Sequence, residues 1–143
     1  MPESLLRTLP GLPPSVREAR SELRGFLADH TRVDAAELIL SEFATNAVLH
    51  SRSRELGGVF EIRLELTPGT LRIEVLDEGE PTTVDLAPED EALAPGEDPS
   101  FPYGESGRGL LLVDALADKW GHDSTPEGRL LWWAELWTTE ERR

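Results

Sequence analysis

Residues 38–50 read Leu-Ile-Leu-Ser-Glu-Phe-Ala-Thr-Asn-Ala-Val-Leu-His, which is apolar on nearly every side of a helix. Such a helix belongs in an interior, covered by other elements. The pattern predicts a helix over residues 35–50, with Asp34 as its cap and Glu37 three residues on. Glu42, Asn46 and His50 interrupt the apolar surface at steps of four, so they form one polar line along it. Two readings of that line stay open. It faces solvent, or it lines an internal polar cleft in which the carboxylate acts as a base and the amide oxygen ligates a hard cation such as Mg²⁺. In the second case the groups need partners, because an unpaired buried carboxylate or amide is costly.

The rest of the chain must supply the cover. Residues 13–29 read as an amphipathic helix, with Val16, Ala19, Leu23, Phe26 and Leu27 at helical spacing and Ser15 and Glu18 as a capping box. Two strands follow. Phe60, Ile62, Leu64 and Leu66 alternate with Glu61, Arg63 and Glu65, and Leu71, Ile73 and Val75 alternate with Arg72 and Glu74. Each strand thus has one wet and one buried face. The joining Thr67-Pro68-Gly69-Thr70 carries the proline-glycine centre of a type II turn. Residues 80–106 hold five prolines, and residues 85–98 hold six acids and no base, which predicts a mobile lid. A third helix is expected over residues 109–120 and a last strand over 129–137. Runs of helices and runs of strands, without strict alternation, predict an α+β fold: a two-layer α/β sandwich with helices on one face of a mostly antiparallel sheet.

Composition narrows the function. The 143 residues suit one domain, 1–143, large enough to bury roughly two-thirds of its unfolded surface. The absence of cysteine excludes disulfides, thiolate metal sites and a cysteine nucleophile, and suits a reducing cytoplasm. No apolar run approaches the ~18 residues of a membrane span, and Met-Pro-Glu-Ser does not begin a signal peptide. With 28 acids against 14 bases the net charge is −14, which disfavours nucleic acid and anionic lipid as partners and favours a protein. A nucleotide in this field needs a cation and backbone dipoles beside it.

Two further segments bear on chemistry. Asp77-Glu78-Gly79-Glu80-Pro81 follows the second strand directly. Gly104-Glu105-Ser106-Gly107-Arg108-Gly109-Leu110-Leu111-Leu112-Val113 leads into the third helix, and glycines at a helix start make an anion site from free N–H groups and the helix dipole. It is not a Walker loop, since no Lys-Ser/Thr follows. Alone, each segment is as readily a turn or an ordinary helix start. In this order the polar-striped helix, the strand ending in Asp-x-Gly, the lid and the Gly-x-Gly helix resemble the GHKL ATPase superfamily of histidine kinases, type II topoisomerases, MutL-type repair proteins and a heat-shock chaperone. Ser41-Glu42-Phe43-Ala44-Thr45-Asn46-Ala47-Val48-Leu49-His50, Glu105-Ser106-Gly107-Arg108-Gly109-Leu110 and Trp132-Trp133-Ala134-Glu135-Leu136 are similar to the stand-alone, actinobacterial type of anti-sigma-factor serine/threonine kinase.

The resemblance implies roles residue by residue. Glu42 matches the glutamate that polarises the attacking hydroxyl. Asn46 matches the Mg²⁺ ligand, and Asp77 the acid that accepts the adenine amino hydrogen. Gly79 matches the glycine beside the base. Gly107, Arg108, Gly109 and Leu110 match the phosphate-binding segment. His50 matches a frequent structural histidine, while His30 and His122 are too scattered to form a metal site. Pro81 stands where the family has a second glycine, and Gly128-Arg129-Leu130-Leu131 lacks the threonine often found near the start of the last strand. The implied cofactors are ATP and Mg²⁺. The implied partners are an anti-anti-sigma (STAS-type) protein, which is phosphorylated, and a sigma factor, which is bound. A homodimer is also implied, for which the first helix, Trp132, Trp133 and Trp137 offer apolar surface. A non-catalytic module that holds nucleotide or has lost it, and sequesters a regulator, is the alternative. The ATPase half of a histidine kinase ranks last.

Overall fold

The alternating apolar positions of residues 59–77 build the centre of a five-stranded sheet. The computed structural model describes residues 3–51, 53, 55–79 and 105–138. Its elements are β1 (Glu3–Pro10), α1 (Pro14–Leu27), α2 (Val33–His50), β2 (Val59–Thr67), β3 (Thr70–Asp77), α3 (Glu105–Leu116), β4 (Lys119–Ser124) and β5 (Leu130–Trp137). The strand order is β1-β2-β3-β5-β4, and every neighbouring pair is antiparallel. The β2–β3 turn has Gly69 at φ +88°, the left-handed conformation that the third residue of a type II turn requires.

One face of the sheet carries the helices. Phe60, Ile62 and Leu64 of β2, Leu71, Ile73 and Val75 of β3, and Ala134 and Leu136 of β5 are buried beneath them. Above these lie Ala19, Leu23 and Leu27 of α1, Val113 of α3, and Ala36, Ile39, Leu40, Phe43, Ala44, Ala47 and Val48 of α2. Helix α2 packs against both other helices and against β3, so its all-round apolar sequence has its explanation. Each large side chain withdrawn from water here contributes roughly 1.5–3 kcal/mol. The opposite face is polar: Arg72 pairs with Glu74 at 2.6 Å and Glu135 at 2.8 Å and lies 4.7 Å from the Trp133 ring centre.

Four expectations are corrected. The third helix starts at Glu105 rather than Gly109 and stops at Leu116, not Trp120. The amide of Asp118 already bonds to Glu135 of the sheet, and Trp120 pairs with Ala134 as part of β4. Trp120 still reaches the core, but from a strand. Helix α1 has Pro13 at its cap and no side-chain cap bond, and Ser15 is buried inside the first turn, so no capping box forms. Helix α2 is preceded by Arg32, also without a side-chain cap bond, so Asp34 lies in its first turn. The three tryptophans of β5 do not make one patch. Trp132 faces the helices, with its ring 5.7 Å from Phe43, while Trp133 and Trp137 point to the other face. The strand β1 was not anticipated. The expected lid, residues 80–106 with Pro81, lies outside the described residues up to 104, and its last two residues, Glu105 and Ser106, belong to α3 instead.

One end of the sandwich is tied by Arg32, in the α1–α2 connection. Its guanidinium donates to the carbonyl oxygens of Trp137 at 2.7 Å and Leu116 at 3.2 Å, and lies 3.6 Å from Asp118. Asp118 in turn accepts the Trp137 amide at 2.7 Å. The start of α2, the end of α3 and the end of β5 therefore meet there.

Candidate functional site

The other end gathers the polar residues. Helix α2 runs away from Arg32, and its eighteen residues cover roughly 27 Å. Its C-terminal half therefore lies toward the end of the sheet where β3 finishes at Asp77. Leu38, Glu42, Asn46 and His50 follow one another along one side of it. Leu38 is exposed, Glu42 is half-buried with its Oε1 shielded from solvent, Asn46 is 9% exposed, and His50 emerges at the helix end. The polar line is therefore internal at its middle. No hydrogen bond joins the Asn46 side chain to another described residue. The Asn46 amide is therefore not committed to another described side chain or backbone group, and it is available to a ligand.

Asp77 continues the buried face of β3 and is 2% exposed. One of its oxygens accepts the Gly79 amide at 2.7 Å, which folds the chain back on itself just after the strand. Gly79 has φ +91°, and a Cβ there would land inside the contact shell of the Gly128 carbonyl oxygen. Its glycine character is thus required by the β4–β5 turn as well as by its own backbone. Leu130 stands directly opposite Asp77 in the sheet register. Where the family often has a hydroxyl near the start of the last strand, this chain presents an apolar neighbour.

Behind Asp77 lies a group of residues that the sequence reading missed. The Glu78 amide donates to Ser53 Oγ at 3.0 Å, the Ser53 amide donates to Ser51 Oγ at 2.9 Å, and Ser51 Oγ donates to the Ala47 carbonyl at 2.8 Å. The Glu78 carboxylate accepts the Val59 amide at 2.8 Å. Ser51 and Ser53 are 3% and 0% exposed. The available signal was small: two serines within three residues of a helix end, in a segment with no apolar pattern.

Helix α3 approaches the same end. Its C-terminus is held near Arg32, and a two-residue connection leads from it into β4, so its start points back along the sheet by roughly 18 Å. Gly107, Arg108 and Gly109 lie within its opening turns instead of ahead of it. The N–H groups of residues 105–107 have no partner within the helix. That of Gly109 falls inside the helical ladder, so it is not freed for an anion. Leu110 is half-buried one residue further on. Glu42, Asn46, Asp77, Gly79 and the α3 start thus converge on one end.

The donor set suits a hard cation held mainly by its own ligand. Among the described residues no three His, Cys, Asp or Glu side chains cluster as a metal cage. Asn46 offers one neutral oxygen, so phosphate oxygens and water would complete the shell, the usual arrangement for Mg²⁺. Among the described residues no helix is long and apolar enough to cross a membrane.

Comparison with known proteins gives the family and the fold. A family model described as the histidine kinase-like ATPase domain matches residues 9–134, and the chain belongs to that family. Its fold is the GHKL fold that the motifs implied. The crystal structure of the RsbU and RsbW domains of Rv1364c from Mycobacterium tuberculosis is similar over 94% of this chain, with a TM-score of 0.66 and 20% identity. The chain spans 32% of the length of that one. The SiaB–SiaC complex from Pseudomonas aeruginosa contains a chain similar over 94% of this one and 89% of its own length, with a TM-score of 0.58 and 13% identity. No curated protein matches the sequence.

Proposed function

We propose that this chain is an ATP-dependent serine/threonine kinase of the anti-sigma type, which phosphorylates an anti-anti-sigma (STAS-type) protein and binds a sigma factor. The largely buried Asn46 side chain, 9% exposed and one helical turn from Glu42 on the internal polar line of α2, carries the reading. A protein partner is supported by one of the similar structures, which was solved as a SiaB–SiaC complex. Bound Mg-ATP would supply the transferable phosphoryl group and the cation that offsets its charge in a protein of net charge −14. Asp77 accepts the adenine amino hydrogen and disfavours guanine, which presents a carbonyl at that position. Asn46 holds the cation through its amide oxygen. The opening N–H groups of α3 donate to phosphate oxygens. Glu42 takes the proton of the partner's hydroxyl as that oxygen bonds to the terminal phosphorus and ADP leaves.

The assay that tests this is single-turnover transfer from ATP to a purified anti-anti-sigma-type protein, with binding measured separately. Glu42→Ala should keep ATP binding and lose ~10²–10⁴-fold in transfer, the usual share of general-base assistance. Full transfer by that variant removes Glu42 from the reaction. Leu130 opposite Asp77 favours a second reading, a sequestering module that needs no turnover. Tight ATP binding by the wild type with no labelled partner selects it.

A further inference from the structure

The corner that holds Asp77 and the turn of α2 that holds Asn46 come from distant parts of the sequence. A ligand spanning both is bound well only if their separation is set in advance, since each loose element must otherwise be ordered on binding. The backbone route between them is indirect: α2 ends at His50, and β2 and β3 intervene before Asp77. A direct route is the hydrogen-bonded relay Ala47 carbonyl, Ser51 hydroxyl, Ser53 amide and hydroxyl, Glu78 amide. It starts at the residue after Asn46 and ends at the residue after Asp77. The Glu78 carboxylate bonded to the Val59 amide pins the same residue to the start of β2. Every step lies within hydrogen-bond range, and both serines are shut off from water, so water cannot readily replace a lost hydroxyl.

We infer that Ser53 is a positioning residue for nucleotide binding: through Ser51 and Glu78 it sets the distance between the base-recognising corner at Asp77 and the cation-holding turn at Asn46. The inference rests on the nucleotide reading above but concerns residues that reading does not use. Ser53 acts by holding the Glu78 amide and not by touching the ligand. A serine fits because one small hydroxyl accepts from Glu78 while its own amide reaches back to Ser51. Alanine keeps the volume and loses the acceptor, which leaves a buried N–H unsatisfied.

The test compares ligands that span the two halves with one that does not. Titrations of the intact chain well below its melting temperature would use Mg-ATP and Mg-tripolyphosphate, the latter needing only the Asn46 and α3 side. Ser53→Ala should weaken Mg-ATP about tenfold and leave Mg-tripolyphosphate unchanged. In an Asp77→Asn background Ser53→Ala should weaken Mg-ATP no further, because the base contact it positions is already gone. The Glu78 amide of the free variant should exchange with solvent faster than in the wild type. Should Ser53→Ala not fold, Ser51→Ala replaces it, with the same direction and a smaller loss. Unchanged Mg-ATP affinity in a folded variant overturns the role of Ser53, as does equal loss for both ligands. A wild type that binds neither ligand overturns the nucleotide reading itself.

Discussion

The two ends of the sandwich treat their polar groups in opposite ways. At the Arg32 end the groups satisfy each other: the guanidinium takes up the carbonyls of Leu116 and Trp137, and Asp118 takes up the Trp137 amide. A helix C-terminus and a strand end that would otherwise need water are closed by one cation. At the Asp77 end the backbone is just as closely tied, through Gly79, Ser53 and Ser51, yet the Asn46 amide makes no hydrogen bond to another described residue. The first end spends its hydrogen-bonding capacity on stability. The second leaves an amide uncommitted. Sites that depart from local stability in this way are where function is expected.

The sharpest break of the comparison is at Gly79. Gly79 and Gly128 both have positive φ, +91° and +87°, but a Cβ on Gly128 meets nothing within 4 Å while one on Gly79 meets the Gly128 carbonyl. Gly128→Ala should cost about 1–3 kcal/mol, from backbone strain alone. Gly79→Ala should cost that plus a further ~1–3 kcal/mol for the forced contact. Urea unfolding of the two variants reads the difference. Equal losses would mean that the Asp77 corner yields easily and is not rigidly set against the β4–β5 turn.

At the other end, Arg32→Met keeps the aliphatic stem and removes the donors. Partial exposure of the guanidinium lets water replace part of what is lost, so the expected cost is about 2 kcal/mol, the range of a single charge-assisted hydrogen bond. Mg-ATP affinity should not change, because the variant alters only the end that holds nothing in reserve. A loss of affinity matching the loss of stability would show that the two ends are coupled through α2 and α3.

Much of this was legible because it rests on period and order. The two-residue alternation of β2 and β3 and the all-round apolar run of α2 specify the sheet centre and the helix over it, and they place Asn46 and Asp77 in a buried layer. The misses have a common cause. β1 and β4 are the edge strands, paired on one side only, so the alternation that marks a strand is weak in them. β4 reads Lys-Trp-Gly-His-Asp-Ser, and Trp120 sits at helical spacing from Val113 and Leu116, which drew the helix too far. The caps failed because the first turns of α1 and α2 are set by Pro13 and by Arg32, which answers to Trp137 more than a hundred residues away. Ser51 and Ser53 carry no periodic signal, since their partners are backbone groups of other elements.

The smallest effect separates the two ends from the outer surface between them. On that surface Arg24 and Arg20 donate to Glu37 at 2.8 Å and 3.1 Å, and the Arg24 hydrogen bond leads in holding the Glu37 carboxyl below its ordinary range, against a partial burial that pushes it up. The unfolded chain therefore binds the Glu37 proton at a higher pH than the folded one. Above the ordinary glutamate range the pair contributes its full stability. As pH falls through that range the unfolded state gains protons first and the contribution shrinks, and it is gone below the depressed folded value. Both arginines are about half exposed, so screening keeps the effect small. Urea midpoints of wild type and Glu37→Gln should differ most near neutral pH and converge toward acid, with the gap narrowing in high salt. A gap that widened on acidification would reverse the sign and place the Glu37 stabilisation in its neutral form.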